Sequence, residues 1–148
     1  MSSIANVWEQ LGTVAVVHFK AESLSGIGWD GSAIGVVKVS QPESNVLVFE
    51  ESGQFRKPDG KEMNFRNTFR WTRIEDNIRL EHLRFGIDNP VFLFDMACQT
   101  DGTWRETHPH PCRDDCYSAT LRLKNDTVLV RWSVNGPKRN ETIDYIYM

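Results

Sequence analysis

The chain has 148 residues, 40% apolar and 25% charged, with 17 basic against 20 acidic side chains and a formal charge of −3. That length fits one domain over residues 1–148 with enough core to need no staples. A slight acidic excess with interspersed signs argues against non-specific binding to nucleic acid or anionic membrane, and no stretch approaches the roughly 20 apolar residues of a membrane span.

The N-terminal "MSSIANVWEQLG" has neither the basic start nor the long apolar run of a signal peptide. Three Cys, an odd number, then point to a reduced, cytoplasmic setting with free thiols. In that setting "NDT" at 125–127 and "NET" at 140–142 are chance matches to the glycosylation pattern. Ile4, Val7, Trp8 and Leu11 fall at helical spacing, with Ser2 or Ser3 to cap the start, so one short amphipathic helix is expected up to Gly12.

Everything after it reads as strand. "TVAVVHFKAE" runs into the Gly-rich break "SGIGWDGS", which precedes a strand rather than a helix and so marks a turn or bulge, not a phosphate loop. "AIGVVKVS", "VLVFEES", "MNFRNTFRWTRI", "IRLEHLRFG", "VFLFDMACQ", "YSATLRLK", "TVLVRWSV" and "ETIDYIY" follow, separated by "QPESN", "KPDGK", "EDN", "DNP", "TDG", "ND" and "NGPKRN". Turn signals about every 8–12 residues are the pattern of an all-β sandwich or barrel. Short connections make neighbours pair as an antiparallel meander. The expected fold is therefore an all-β, up-and-down barrel of eight to ten strands, the short helix plugging one end with Trp8 inside. A sandwich is the alternative.

Alternation assigns the faces. Phe65, Asn67, Phe69, Trp71 and Arg73 share one, as do His82 and Arg84, then Phe92, Phe94 and Met96, then Tyr117, Ala119 and Leu121, then Val130 and Trp132, then Ile143, Tyr145 and Tyr147. Barrels of this size have room for one small ligand. The expected ligand wall is Phe65, Phe69, Trp71, Phe92, Phe94 and Trp132, and Arg73, His82, Arg84, Tyr117 and Tyr145 would read a polar or anionic head. The plainer alternative is that these arginines snorkel to carboxylates at the mouth and His82 is a satisfied interior histidine.

"HPHPCRDDCY", His108–Tyr117, is the densest run of ligating and proton-moving groups. His108, His110 and Cys112 share parity and, with Cys116, would suit zinc. Pro109 and Pro111 bar a regular ladder between them, and no C-x-x-C or H-x-x-x-H spacing occurs, so neither metal nor cofactor is expected. His110, Asp115 and Tyr117 are the candidates for acid–base chemistry, with His82 as another proton carrier. A Cys112 nucleophile paired with His110 has no supporting motif. The structural alternative is a proline-stiffened corner shaped by Asp114 or Asp115.

These residues also carry a resemblance. "HPCRDDCY" fits H-x-C-x-x-D-x-Y on His110, Cys112, Asp115 and Tyr117. "WSVNGPKR" resembles W-x-V-x-G-P-x-K on Trp132, Val134, Gly136 and Pro137, with Lys138 beside its last position. Together they are similar to a family of uncharacterised, mostly bacterial proteins known only as a domain of unknown function. The resemblance implies a calycin-like barrel, the class of lipocalins and fatty-acid-binding proteins, and implies no reaction. It leaves His108 and Cys116 outside the pattern.

The leading expectation is thus a barrel that binds a small, mainly apolar ligand. A small-molecule enzyme using His110, Asp115, Tyr117 or His82 is the second reading. An oligomeric structural or interaction protein, with Leu83, Phe85 and Leu129 on an outer patch, is the third.

Overall fold

The computed structural model describes residues 3–23, 30–108, 110–112, 115–137 and 140–148, the middle one of the short segments by its backbone. The elements are α1 (Ile4–Gly12), β1 (Val16–Ser23), β2 (Gly31–Glu43), β3 (Val46–Arg56), β4 (Glu62–Ile74), β5 (Asn77–His82), β6 (Val91–Cys98), β7 (Trp104–Glu106), β8 (His110–Cys112), β9 (Asp115–Lys124), β10 (Thr127–Asn135) and β11 (Asn140–Tyr147). Every strand pairs antiparallel with its neighbour in sequence, except that β7 and β8 both pair with β9. β11 returns to β1, so ten strands close into an up-and-down barrel, as the meander pattern predicts.

The turns explain the meander. "KPDGK" and "TDGT" close alike: Gly60 and Gly102 take left-handed φ of 88° and 85°, while Asp59 and Asp101 accept from the N–H two residues on, at 2.9 Å each. Asn125 and Glu75 supply positive φ in the two-residue turns β9–β10 and β4–β5.

On the outside, cross-strand charge pairs hold the register. Arg79 is bidentate to Asp95 at 2.8 and 3.1 Å, Arg131 is bidentate to Asp144 at 2.6 and 3.2 Å, and Arg70 bonds Glu81 at 3.0 Å. Each faces its partner directly across the ladder. Such pairs contribute little individually, about 0.2–1 kcal/mol, but a one-residue slip would break each of them.

α1 closes one end. Ser3 caps it, its hydroxyl accepting from the Asn6 N–H at 3.2 Å. Val7 and Leu11 are fully buried in the barrel core with Val17, Leu47, Ile78 and Val128. Trp8, expected inside, is half-buried, and its indole N–H reaches the Ser44 carbonyl at 3.3 Å. Gln10 ties the helix to the β9–β10 turn through the Asp126 carbonyl at 2.7 Å. Replacing Ser3 by Ala should lower unfolding free energy by about 1 kcal/mol in urea titration, the ordinary worth of an N-cap.

Three expectations are corrected. Strand β5 stops at His82 rather than reaching Gly86, and Leu83, expected on an outer patch, is 8% exposed. β7 and β8, three residues each, stand where no strand was expected. β10 occupies the other edge of β9 along 116–124, so β7 and β8 take successive parts of one edge. Finally, β6 bulges. Leu80 pairs with Phe94 but Glu81 pairs with Phe92, so alternation reverses before Phe94. Phe92 is thereby turned outward, 41% exposed, under the Arg79 guanidinium at 5.3 Å.

Candidate functional site

The two ends of the barrel differ. The end closed by α1 also carries the turns after β2, β4 and β9. The opposite mouth carries the β3–β4, β5–β6 and β10–β11 connections and the β8–β9 corner. There His110 pairs with Tyr117, and Tyr117 with Val134, so the two stretches singled out by resemblance lie side by side. Tyr117 is half-buried and packs against the core, and Asp115 is half-buried opposite Cys112. The side chains of His110 and Cys112 lie outside the described residues, as does Lys138. His108 is exposed, its Nδ1 3.3 Å from the Thr107 hydroxyl. Among the described residues no three His, Cys, Asp or Glu could hold a metal ion.

The interior is an aromatic network. Phe69 stacks on His82 at 4.8 Å and meets Trp132 edge-on at 6.0 Å. Phe94 meets the same indole at 5.6 Å, and Tyr145 lies 6.0 Å from it. Phe19 stacks on Tyr145 at 5.0 Å and meets Phe65 edge-on at 5.1 Å. Trp71 lies 5.7 Å from Phe49. Phe65, Phe69, Trp71, Phe94, Trp132 and Tyr145 are thus brought together inside, and Phe92 is not.

The side chains expected to read one polar head are not gathered. Arg73 is half-buried and sits at the closed end, where its strand neighbour is Ile78. Arg84 lies past β5 on the mouth side, exposed, its guanidinium 5.0 Å over Phe85. His82 is half-buried near it, and burial and the Arg84 charge lower its pKa, so the ring is neutral at pH 7.

A fully buried carboxyl that the interior does hold is Glu51, which was not among the expected site residues. It is 2% exposed, at mid-depth on β3, with Val37 and Asn67 as ladder neighbours. Tyr147 donates its hydroxyl proton to Oε2 at 2.6 Å; Oε1 is buried and has no hydrogen-bond partner among the described residues. Burial pushes the carboxyl up to about 7, against the lowering effect of the Tyr147 bond. Burial and the nearby Glu51 charge raise both Tyr145 and Tyr147, which stay protonated. The indole N–H groups of Trp71 and Trp104 are likewise buried, with no partner among the described residues. A signal for Glu51 exists in "VLVFEES": Leu47, Phe49 and Glu51 share parity, so one acidic residue follows two apolar ones on one face.

An open depression of about 550 Å³ on the outer wall is lined by Thr120, Arg122, Leu129, Arg131 and Asp144. Its Arg131 and Asp144 neutralise each other, so the interior holds the stronger claim.

No curated protein matches the sequence. A family model does, over residues 22–148, from late β1 through the closing strand β11 and including both stretches at the mouth. The chain belongs to that family, a family of unknown function designated DUF6314.

Proposed function

We propose that this barrel binds a small, mainly apolar ligand within its aromatic interior, in the manner of calycin barrels. The observation that carries the reading is the set of buried polar atoms with nothing to bond. Glu51 Oε1, Trp71 Nε1 and Trp104 Nε1 are each enclosed without a hydrogen-bond partner among the described residues. Native interiors rarely leave such atoms bare, because each costs about 1–3 kcal/mol of lost hydration. A core built only to be filled would carry apolar side chains at these positions. Of the two heads expected from the sequence, polar or anionic, the interior favours the polar one. An anion would meet the Glu51 carboxyl, and Arg73 and Arg84 stand at opposite ends.

The oligomeric reading has less support. The exposed apolar side chains Ile34 and Val36 lie on β2, and Phe85 and Ile87 between β5 and β6. Buried Leu83 does not join them.

Native mass spectrometry of the protein from its own host should show a retained small organic molecule, and an environment-sensitive apolar dye should bind the stripped protein once per chain with altered tryptophan emission. Trp132→Ala should weaken dye binding about tenfold, since the indole touches Phe69, Phe94 and Tyr145. A folded protein that retains nothing and takes up no dye would end the proposal.

A further inference from the structure

The character of the buried polar site narrows the ligand class further, given that the barrel binds a small apolar molecule at all. Glu51 is an acidic side chain placed among rings, and its described partner is a neutral phenol. The ring of Tyr147 lies 5.4 Å from Phe49 and 5.7 Å from Tyr145, and Tyr145 continues to Phe19 and Trp132. A carboxyl oxygen without a donor, beside stacked aromatic rings, is the pairing that recognises organic ammonium groups: the oxygen accepts N–H bonds and the ring faces attract positive charge.

We propose that Glu51 is the recognition residue for an amine, and that the ligand is an amphipathic primary or secondary amine whose ammonium donates to Glu51 Oε1 while its apolar body lies among the interior aromatics. Tyr147 holds the carboxylate by its other oxygen, so that Oε1 is left for the ligand. Burial pushes the Glu51 carboxyl up to about 7, so it is partly ionised at neutral pH. An arriving ammonium therefore displaces at most one proton to solvent. Tyr145 and Tyr147 are the titratable side chains that interact with Glu51 among the described residues, and both remain neutral throughout.

Three probes of equal chain length separate the possibilities: n-octylamine, n-octanol and octanoate, titrated into the full chain by calorimetry and tryptophan fluorescence near pH 7. The amine should bind at least about tenfold more tightly than the alcohol, as a charge-assisted hydrogen bond plus ring–cation attraction requires, and octanoate should bind most weakly. Glu51→Gln should bring the amine down to the alcohol and leave the alcohol unchanged. Alcohol or carboxylate binding as well as the amine, or an amine preference surviving Glu51→Gln, overturns the amine assignment while the barrel-binding reading stands. If none of the probes and no apolar dye binds, that reading falls with it. Should Glu51→Gln not fold, the wild-type ranking of the three probes decides alone.

Discussion

Raising the pH from about 5 to about 8 should cost the wild type about 2–3 kcal/mol of unfolding free energy relative to Glu51→Gln. In the folded chain the Glu51 carboxyl holds its proton up to about 7; unfolded, it releases it near the ordinary 4.5. Between those values the folded state binds more protons than the unfolded one. Stability therefore falls as pH rises through the window and is level on either side of it. The size follows from about 1.4 kcal/mol per pH unit of separation. The side chain is 2% exposed, so solvent screening does not reduce it much. His82 works in the opposite sense. Its pKa is lowered from 6.5 on folding, so acidification below that value favours the unfolded chain. Subtracting the Glu51→Gln profile from the wild-type profile removes the His82 contribution, which both share. Urea titrations followed by tryptophan emission at four pH values suffice. Parallel profiles would mean that Glu51 is hydrated or paired in solution and that its Oε1 is not an open acceptor for a ligand.

The architecture was readable because its signals repeat. Each long strand alternates, each connection carries Gly, Asn, Asp or Pro, and the one helical spacing stands before them all. What alternation cannot supply is depth. Arg73 and Arg84 were both assigned inward by parity, yet parity says nothing of which end of the barrel a residue occupies, and they stand at opposite ends. Nor does it survive a bulge: one extra residue in β6 sends Phe92 out while Phe94 stays in. β7 and β8 are too short for any period, and Pro111 in β8 reads as a breaker. Glu51 was hidden for a different reason. A charged residue at the end of an apolar run looks solvent-facing, and only the closed ladder to Val37 and Asn67 places it inside. His110 and Tyr117, from the stretch that dominates the sequence by composition, pair through their backbones on the mouth side, while Glu51 is buried at mid-depth on β3 and bonded to Tyr147 at the end of β11.

Gly53→Ala should destabilise the protein by about 3 kcal/mol, at the upper end of what overpacking costs, while Gly12→Ala stays within about 0.5 kcal/mol of wild type. Gly53 faces Gly35 across the β2–β3 ladder. A Cβ at Gly53 would overlap the Ile34 carbonyl oxygen and stand 2.5 Å from the Gly35 Cα. Both obstacles are backbone, so no rotamer change relieves them; the two strands would have to part. A Cβ at Gly12 meets nothing within 4 Å, which makes that substitution the control for the generic effect of adding a methyl group. The bare pair lets strands β2 and β3 approach closely. The Phe65 ring lies over Gly35, 2.8 Å from where a Cβ would stand, and meets Phe19 beside Tyr145. A side chain at Gly35 would push Phe65 off this seat, so Gly35→Ala should weaken ligand or dye binding as well as stability. Chemical denaturation of Gly53→Ala and Gly12→Ala, beside dye titration of Gly35→Ala, separates the two effects. If Gly53→Ala were as harmless as Gly12→Ala, strands β2 and β3 would have slack to separate, and the close approach that seats Phe65 in the aromatic wall would not be a requirement of the fold.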